Sequence, residues 1–309
     1  MKIVYMGTPE FAVPALEALV KAGHEVALVV TKPDRPKDRG KKMQACEVKQ
    51  KAIELGLPTA SPEKIKENNE FLEQLKAIAP DFIVVAAYGK ILPKAILDLP
   101  KFACINIHGS LLPAYRGPAP IHWAVINGDK TTGVTIMHMA EGMDTGDMLA
   151  TAETQVENKT TEYLHVELAQ LGAKLLIETL PKIADGSLKR IKQDESKATY
   201  APMVFKDQGV IDYNKSAEEI CCLVRGFNSW PTASTKYNGE VMKVHKAVCG
   251  KSGDFGPLGN VISADKHGIE VSCRGGSVIF TNIQMPGKKA MDVSAYLLGN
   301  KIEIGAVLG

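Results

Sequence analysis

Short apolar runs are spread through the first hundred residues of the chain and limit the folds open to it. The run at residues 103–107 contains two β-branched residues and is typical of a strand buried in a parallel sheet. Residues 2–6, 25–31 and 82–87 also read as strands, and the first leads through a turn at residues 7–10 into an apolar-faced helix that ends near Gly23. The sequence therefore predicts an α/β domain with a Rossmann-like opening and a mostly parallel sheet.

Polar side chains lie at the end of the run at residues 103–107. Asn106 and His108 are two residues apart, so both side chains point to the same side of a strand or its continuation. The Gly- and Pro-rich residues after them force a shaped loop, at the place where open α/β sheets bind ligands. A second predicted strand, residues 134–139, precedes an acidic loop that carries Asp144. Each residue alone is more typical of a turn or a cap, but together the three could polarise a carbonyl and move a proton, as acyl or one-carbon transfer requires.

Composition narrows the class of protein. The chain has 309 residues, is 45% hydrophobic and lacks any apolar run of 18 residues, so we expect a soluble protein with two domains. The start shows no signal-peptide pattern, which favours the cytoplasm, and the six cysteines lack the C-x-x-C spacing of a zinc site. The turn at residues 7–10 lacks the second and third glycines of a dinucleotide-binding motif. It could still line a site, or it could be a plain strand-to-helix turn.

The segment from residue 32 to residue 51 is strongly basic, with eight Lys or Arg residues against three acidic ones. A basic loop can simply be solvated, because lysines are mostly exposed in any protein. Alternatively, such a cluster can neutralise the phosphates of a nucleic acid and position it without reading its sequence. The residues alone leave both interpretations open.

Helical and strand patterns divide the rest of the chain. Helices are predicted at residues 43–56, 62–79 and 160–185, with a short strand at residues 57–60. A polar segment at residues 187–208 resembles a linker. In the domain after it, Phe227 and Trp230 could stack on bases, but their spacing is more typical of core packing, so we expect them in the core. Short β patterns separated by turns predict a small barrel, at residues 234–237, 241–247, 259–263, 269–273 and 277–283. We therefore expect domains at residues 1–186 and 209–309.

Several motifs together carry a resemblance to a known family. NIHGSLLP at residues 106–113, the Arg-Gly pair at 116–117 and DTGD at 144–147 resemble the signature of the 10-formyltetrahydrofolate-dependent formyltransferases. Further matches are MGTPEFAVPAL, KPDRPKDRGKKM, AYGKILP, FNSWPTA and GKKAM, and they are similar to the branch that acts on initiator methionyl-tRNA. The resemblance implies an N-terminal formyltransferase domain, an OB-like β-barrel that binds tRNA, and a folate as formyl donor.

The resemblance also implies roles for particular residues. Asn106 and His108 would donate hydrogen bonds to the formyl oxygen, and Asp144 would hold the protonation state of His108 and help carry a proton to the leaving nitrogen, with no metal required. Asp144 would also join a folate-binding set made of Tyr88, Gly89, Ile91, Leu92, Ser110, Leu111, Leu112 and Pro113. Contacts to tRNA would come from Arg35, Arg39, Lys41, Lys42, Lys206, Arg225, Lys243, Lys246, Lys288 and Lys289. The loop at residues 88–93 could instead be an ordinary Gly/Pro turn.

Other classes of protein share the same predicted site. Glycinamide ribonucleotide formyltransferases resemble only about the first two hundred residues, so a second domain of this size disfavours them. Aminosugar formyltransferases and formyltetrahydrofolate hydrolases can carry a similar two-domain unit, but neither needs a basic segment at residues 32–51. An RNA-binding module without activity remains possible only if Asn106, His108 and Asp144 do not converge in space. We expect a monomer that does not bind membranes.

Overall fold

The computed structural model describes residues 1–37 and 42–309. The chain divides into two compact units: the first comprises Met1–Pro120, Thr132–Thr154 and His165–Pro202, and the second comprises Ile121–Thr131, Gln155–Leu164 and Met203–Gly309. Strands up to residue 155 are β1 (Lys2–Gly7), β2 (Glu25–Val30), β3 (Arg35–Lys37), β4 (Lys42–Gln44), β5 (Thr59–Ala60), β6 (Phe82–Ala86), β7 (Ala103–His108), β8 (Thr131–His138) and β9 (Met148–Gln155). Helices up to residue 184 are α1 (Val13–Lys21), α2 (Glu47–Glu54), α3 (Asn69–Ile78), α4 (Lys94–Leu97), α5 (Pro120–Ile126) and α6 (Thr161–Ala184).

Seven of these strands form one sheet in the order β5-β2-β1-β6-β7-β8-β9. The neighbours from β5 to β7 run parallel, and β8 pairs antiparallel with β7. The predicted mostly parallel, Rossmann-like sheet is therefore confirmed. Because the carboxyl ends of parallel strands meet at one edge, the loops after β2, β1, β6 and β7 are neighbours there.

The two faces of this sheet are covered differently. Val4, Ile83 and Cys104 lie side by side on one face, in a core cluster that includes Phe71 and Leu75 of α3. On the other face, a Cβ added to Gly172 of α6 would lie 2.7 Å from the Ile107 side chain, so the predicted covering role of α6 is confirmed. Asn106 and His108 share the face of Cys104, because alternate residues of a strand point the same way.

The second unit contains an antiparallel sheet in the order β10-β11-β14-β13-β12, with β15 beside β14. Its strands are β10 (Ala233–Tyr237), β11 (Glu240–Ser252), β12 (Val261–Asp265), β13 (Gly268–Cys273), β14 (Gly276–Gln284) and β15 (Met291–Asp292). Two helices accompany them, α7 (Ala217–Gly226) and α8 (Val293–Tyr296). Ile220 and Val224 of α7 pack in one core with Met242 and Phe280. The predicted β-rich second domain is confirmed.

Some element predictions were wrong. The helix predicted from residue 62 begins only at Asn69, because Glu67 has a positive φ of 59° and the Asn68 side chain caps α3 by accepting from Phe71 N. Residues 43 and 44, predicted as the start of a helix, belong to β4, which pairs with β3, and α2 begins only at Glu47. Helix α7 was missed although Ser216 and Glu219 form a capping box. Trp230, expected in the core, is 57% exposed, whereas Phe227 is buried as predicted.

Candidate active site

The predicted catalytic residues converge in the first unit. Asn106 and His108 lie at the end of β7, on one face, and Asn106 is only half-buried while His108 is 5% exposed. In the part of the chain that the structure describes, the Asn106 side chain has no hydrogen-bond partner. Its amide is therefore free to donate to a ligand.

Two contacts fix the imidazole of His108. Its Nε2 lies 2.9 Å from the Tyr115 carbonyl oxygen, and its Nδ1 lies 3.6 Å from Asp144 Oδ2. A carbonyl oxygen can only accept, so the Nε2 nitrogen carries the proton. The neutral ring therefore presents its Nδ1 lone pair on the side of Asp144, and a proton gained at Nδ1 would face a carboxylate. A carboxylate at this position can stabilise a positive charge on the ring.

Asp144 is held by the loop that follows β7. Its Oδ2 accepts a hydrogen bond from Gly117 N at 2.9 Å, while its own backbone has a positive φ of 53°. Gly117 has a φ of 112°, and a Cβ there would lie 2.8 Å from the Ala201 carbonyl oxygen and 2.7 Å from the Tyr200 ring. Only glycine fits this position, which explains the Arg-Gly pair of the motif in physical terms.

Gln193 ties the Asp144 loop to the rest of the unit, and sequence reasoning missed it. Its Nε2 donates to the carbonyl oxygens of Asp144 and Gly146, both at 2.7 Å, and its Oε1 accepts from Arg116 Nε at 3.0 Å. Arg116 also forms a two-pronged ion pair with Glu195, at 2.9 and 2.7 Å, and this lowers the pKa of the Glu195 carboxyl. Gln193 is 4% exposed, so the hydrogen bonds of its side-chain amide are protected from water.

The predicted folate-binding residues after β7 form a rigid turn. The Ser110 hydroxyl donates to the Ala114 carbonyl at 2.6 Å. The Thr135 hydroxyl of β8 donates to the Ser110 carbonyl at 2.7 Å and accepts from Leu112 N at 3.1 Å. Leu111 and Pro113, also predicted, are half-buried on the same turn.

The predicted folate-binding residues after β6 differ in exposure. Ile91 is 76% exposed, whereas Tyr88 and Leu92 pack in the same core cluster as Cys104. Burial raises the pKa of Tyr88 to about 12, and within the described residues its hydroxyl has no hydrogen-bond partner. Gly89 has a φ of 69° and is exposed. Backbone groups and Ile91 are thus the parts of this loop that remain available to a ligand.

The predicted tRNA contacts at the N-terminal side can be placed only in part. Arg35 lies exposed in β3. Arg39 and Lys41 lie outside the described residues, and Lys42 belongs to β4 with its side chain outside them.

Several predicted cations of the second unit lie near one another. Lys243 pairs with Gln284 across β11 and β14, and the Gln284 amide donates to the Lys288 carbonyl at 2.8 Å. Lys246 follows three residues later on β11 and is exposed, as are Lys206 and Lys289. Arg225 is turned inward instead, since it donates to Cys222 Sγ at 3.2 Å and its Nε is buried without a partner among the described residues.

Two further kinds of feature are absent from the described residues. Over residues 1–37 and 42–309, no helix is long and apolar enough to cross a membrane. Within those same ranges, no group of three or more His, Cys, Asp or Glu side chains is arranged to hold a metal ion.

Comparison with known proteins gives the class to which this fold and site belong. The formyl transferase family matches residues 1–180, and the C-terminal domain of formyl transferases matches residues 203–301. The chain therefore belongs to the formyl transferase family. It is 48% identical to a methionyl-tRNA formyltransferase of Clostridium acetobutylicum, over 100% of this chain and 99% of the relative. It is also 48% identical to a methionyl-tRNA formyltransferase of Acetivibrio thermocellus, over 100% of both chains.

Solved structures support the fold. The crystal structure of an N-formyltransferase from Helicobacter canadensis, in complex with folinic acid and dTDP-3-aminofucose, matches with a TM-score of 0.68 and 20% identity. The match covers 92% of this chain and 99% of that chain. At this level of identity the similarity concerns the fold alone.

Proposed function

We propose that this chain transfers the formyl group of 10-formyltetrahydrofolate to the free amino group of initiator methionyl-tRNA. The observation that carries the proposal is the convergence of Asn106, His108 and Asp144 at one strand end, with Nδ1 of His108 3.6 Å from the Asp144 carboxylate. An RNA-binding module without activity would have no need of this arrangement. The relatives named methionyl-tRNA formyltransferase, which match over the full length, support methionyl-tRNA as the acceptor.

The free amide of Asn106 is the donor best suited to the formyl oxygen. As the amine attacks the formyl carbon, an electron pair moves onto that oxygen, which becomes a better acceptor. A donor aimed at such an oxygen in a dry site is worth about 3 kcal/mol in the barrier. The Nε2–H of His108 is already used by the Tyr115 carbonyl, so His108 acts through Nδ1.

His108 is suited to move the proton. The attacking nitrogen must lose a proton as the new carbon–nitrogen bond forms, and Nδ1 can accept it because Asp144 stabilises the imidazolium. When the electrons of the oxygen re-form the carbonyl, the bond from carbon to N10 breaks, and Nδ1 returns the proton to N10. The products are tetrahydrofolate and the formylated amine, and His108 ends neutral as it began.

The donor and the cellular setting complete the proposal. Folinic acid in the structural relative supports a formyl-folate donor, and the turn at residues 110–113 and the loop at residues 88–92 would bind it. We assign catalysis to residues 1–186 and tRNA binding to residues 209–309, joined by residues 187–208. The acceptor, a charged tRNA, implies work in the cytoplasm, and we propose a monomer that needs no metal.

The test is acceptor-dependent release of tetrahydrofolate. Wild-type protein is mixed with 10-formyltetrahydrofolate and methionyl-tRNA, a nucleotide-linked aminosugar, or no acceptor, and each reaction is repeated with Arg39→Ala. We expect wild-type protein to release tetrahydrofolate only with methionyl-tRNA. Arg39→Ala should lose most of this release, because that arginine lies in the basic segment proposed to contact tRNA. Release without an acceptor would mean a hydrolase, and release with the aminosugar alone would mean a sugar formyltransferase.

A further inference from the structure

Lys32 is a cation that the proposed mechanism does not use. It follows β2, and its ammonium group lies against Gly89 in the loop after β6, where an added Cβ would clash with Nζ. The side chain is half-buried, and over residues 1–37 and 42–309 its ammonium group has no hydrogen-bond or ion-pair partner. Hydroxyl contacts of Thr8 at 3.4 Å connect Lys32 N and the Tyr88 carbonyl, so the loops after β2, β1 and β6 meet at this point.

Two charged groups that act on Lys32 are cations as well. Burial and the charges of Arg35 and Lys90 lower the pKa of Lys32. Lys90 is held in place, because its Nζ donates to the carbonyl oxygens of Pro62 and Glu63 at 2.8 Å. Lys32, Arg35 and Lys90 form what we call the Lys32 cluster.

The adjacent acidic residue does not balance the Lys32 cluster. Asp34 is engaged by Lys49, whose Nζ lies 2.8 and 2.9 Å from its two oxygens. Three cations that repel one another, with the neighbouring carboxylate already paired, are stabilised by an anion from outside the chain. The structure thus has the charge of an anion-binding site beside the candidate active site.

The sheet topology gives the distance from the reacting groups. The Lys32 ammonium lies beside the loop after β6. In the sheet, β6 is adjacent to β7, and β1 is the next strand beyond β6. At about 4.8 Å per strand, the ammonium is therefore about 5 to 10 Å from the end of β7, measured across the sheet edge. In an aminoacyl-tRNA, about eight bonds separate the amine from the 5′-phosphorus of the terminal nucleotide. At about 1.2 Å per bond of extended chain this is about 10 Å.

We propose that the Lys32 cluster binds the 5′-phosphate of the terminal nucleotide of the aminoacyl-tRNA acceptor, and so positions the amine at His108. This inference rests on the proposed function. A carboxylate of the folate tail is the competing anion. The phosphate is favoured because Arg35 belongs both to the cluster and to β3, which pairs with β4. The sequence around these strands, residues 32–51, is basic throughout. A long basic segment suits a chain of phosphates better than a single small anion.

A pair of small acceptors isolates that phosphate. Formyl transfer is measured with the 3′-methionyl ester of adenosine 5′-phosphate and with the 3′-methionyl ester of adenosine, using wild type and Lys32→Gln. For wild type we expect kcat/KM to be about tenfold higher with the phosphate, which equals about 1.4 kcal/mol. For Lys32→Gln we expect the two esters to be used equally well.

Controls separate this from a general defect. Lys76→Gln removes an exposed lysine that is paired with Glu73, and it should behave as wild type. Lys32→Arg keeps the charge and should keep the preference for the phosphate. With methionyl-tRNA, Lys32→Gln should raise KM about tenfold, leave the KM of the folate unchanged, and lower the slope of log KM against log salt by about 0.7.

The possible outcomes are distinct. The inference is overturned if Lys32→Gln still prefers the ester that carries the phosphate. If Lys32→Gln keeps that preference and also has a higher KM for the folate, the cluster binds the folate carboxylate instead. Wild type that discriminates between the esters but has no activity on methionyl-tRNA would refute the proposed function. Wild type that is active on methionyl-tRNA but blind to the phosphate would refute only the inference.

Discussion

Replacing Gln193 with alanine tests whether the Asp144 loop must be held in place. The change removes three buried hydrogen bonds, two to loop carbonyls and one from Arg116. At about 1 kcal/mol for each bond, the free energy of unfolding should fall by about 3 kcal/mol. In a unit of roughly 200 residues this lowers the Tm by about 6 to 12 °C. Because a shift of about 1 Å in a catalytic group can cost 10²-fold, we expect kcat to fall by about two orders of magnitude.

Two assays separate the effects on stability and on activity. Thermal unfolding gives the change in Tm, and initial formylation rates are measured well below the lower Tm. Gln193→Glu keeps an acceptor for Arg116 but places a carboxylate against the carbonyls of Asp144 and Gly146, so it should lose activity much as alanine does. Gln208→Ala, which removes one bond from Phe205 N near the surface, is the matched control.

Equal stability and equal activity of Gln193→Ala and Gln208→Ala would show that Gln193 does not hold the Asp144 loop. A loss of stability with unchanged kcat would show that Gln193 supports the fold but does not position Asp144. A positioning role requires that Gln193→Ala loses both stability and kcat and that Gln193→Glu also loses kcat.

Two further predictions concern local structure. Gly117→Ala should lower stability by about 2 to 3 kcal/mol and reduce kcat, because the added Cβ meets a backbone oxygen at 2.8 Å. Gly186→Ala, at a φ of 74° with open space around it, should lower the free energy of unfolding by only about 1 kcal/mol and leave kcat unchanged. If chemical denaturation gives the same loss of stability for Gly117→Ala and Gly186→Ala, the steric explanation is wrong. Burial lowers the pKa of His165 below 6.5, the usual value for histidine. As the pH falls, the unfolded state therefore takes up a proton at this residue before the folded state does. The free energy of unfolding should then decrease as the pH drops below 6.5. His165→Phe, which keeps a ring beside Phe11, should flatten that fall in unfolding curves measured from pH 7 to pH 5.

The sheet of the first unit was predictable because it is built from local patterns. Strands β1, β2, β6 and β7 are apolar runs that end at Gly or polar residues or just before them, and the structure buries them nearly as the pattern indicates. Errors arose where one local signal outweighed another. Residues 62–68 have helix-forming lysines and glutamates, but the Asn68 cap starts α3 later. The capping box of Ser216 was a usable signal for α7 that the β patterns around it obscured.

The site was predictable only in its local parts. Asn106 and His108 follow from strand alternation, and Asp144 follows from a nearby acidic loop. Gln193 does not, because it lies 49 positions from Asp144 in a polar segment that resembles a linker, and no spacing rule connects the two. The tautomer of His108 also depends on a long-range fold, since the Tyr115 carbonyl reaches Nε2 only through the shape of the Gly/Pro loop.

Single-turnover formyl transfer to methionyl-tRNA by Asp144→Asn and His108→Ala tests the role of the His108–Asp144 pair in catalysis, with folate binding measured in parallel. Asparagine can still accept from Gly117 N but removes the charge that faces Nδ1, so it isolates the electrostatic role. We predict that both variants bind folate much as wild type does and transfer the formyl group about 10² to 10⁴ times more slowly. Near-normal transfer by both variants would show that the pair does not move the proton.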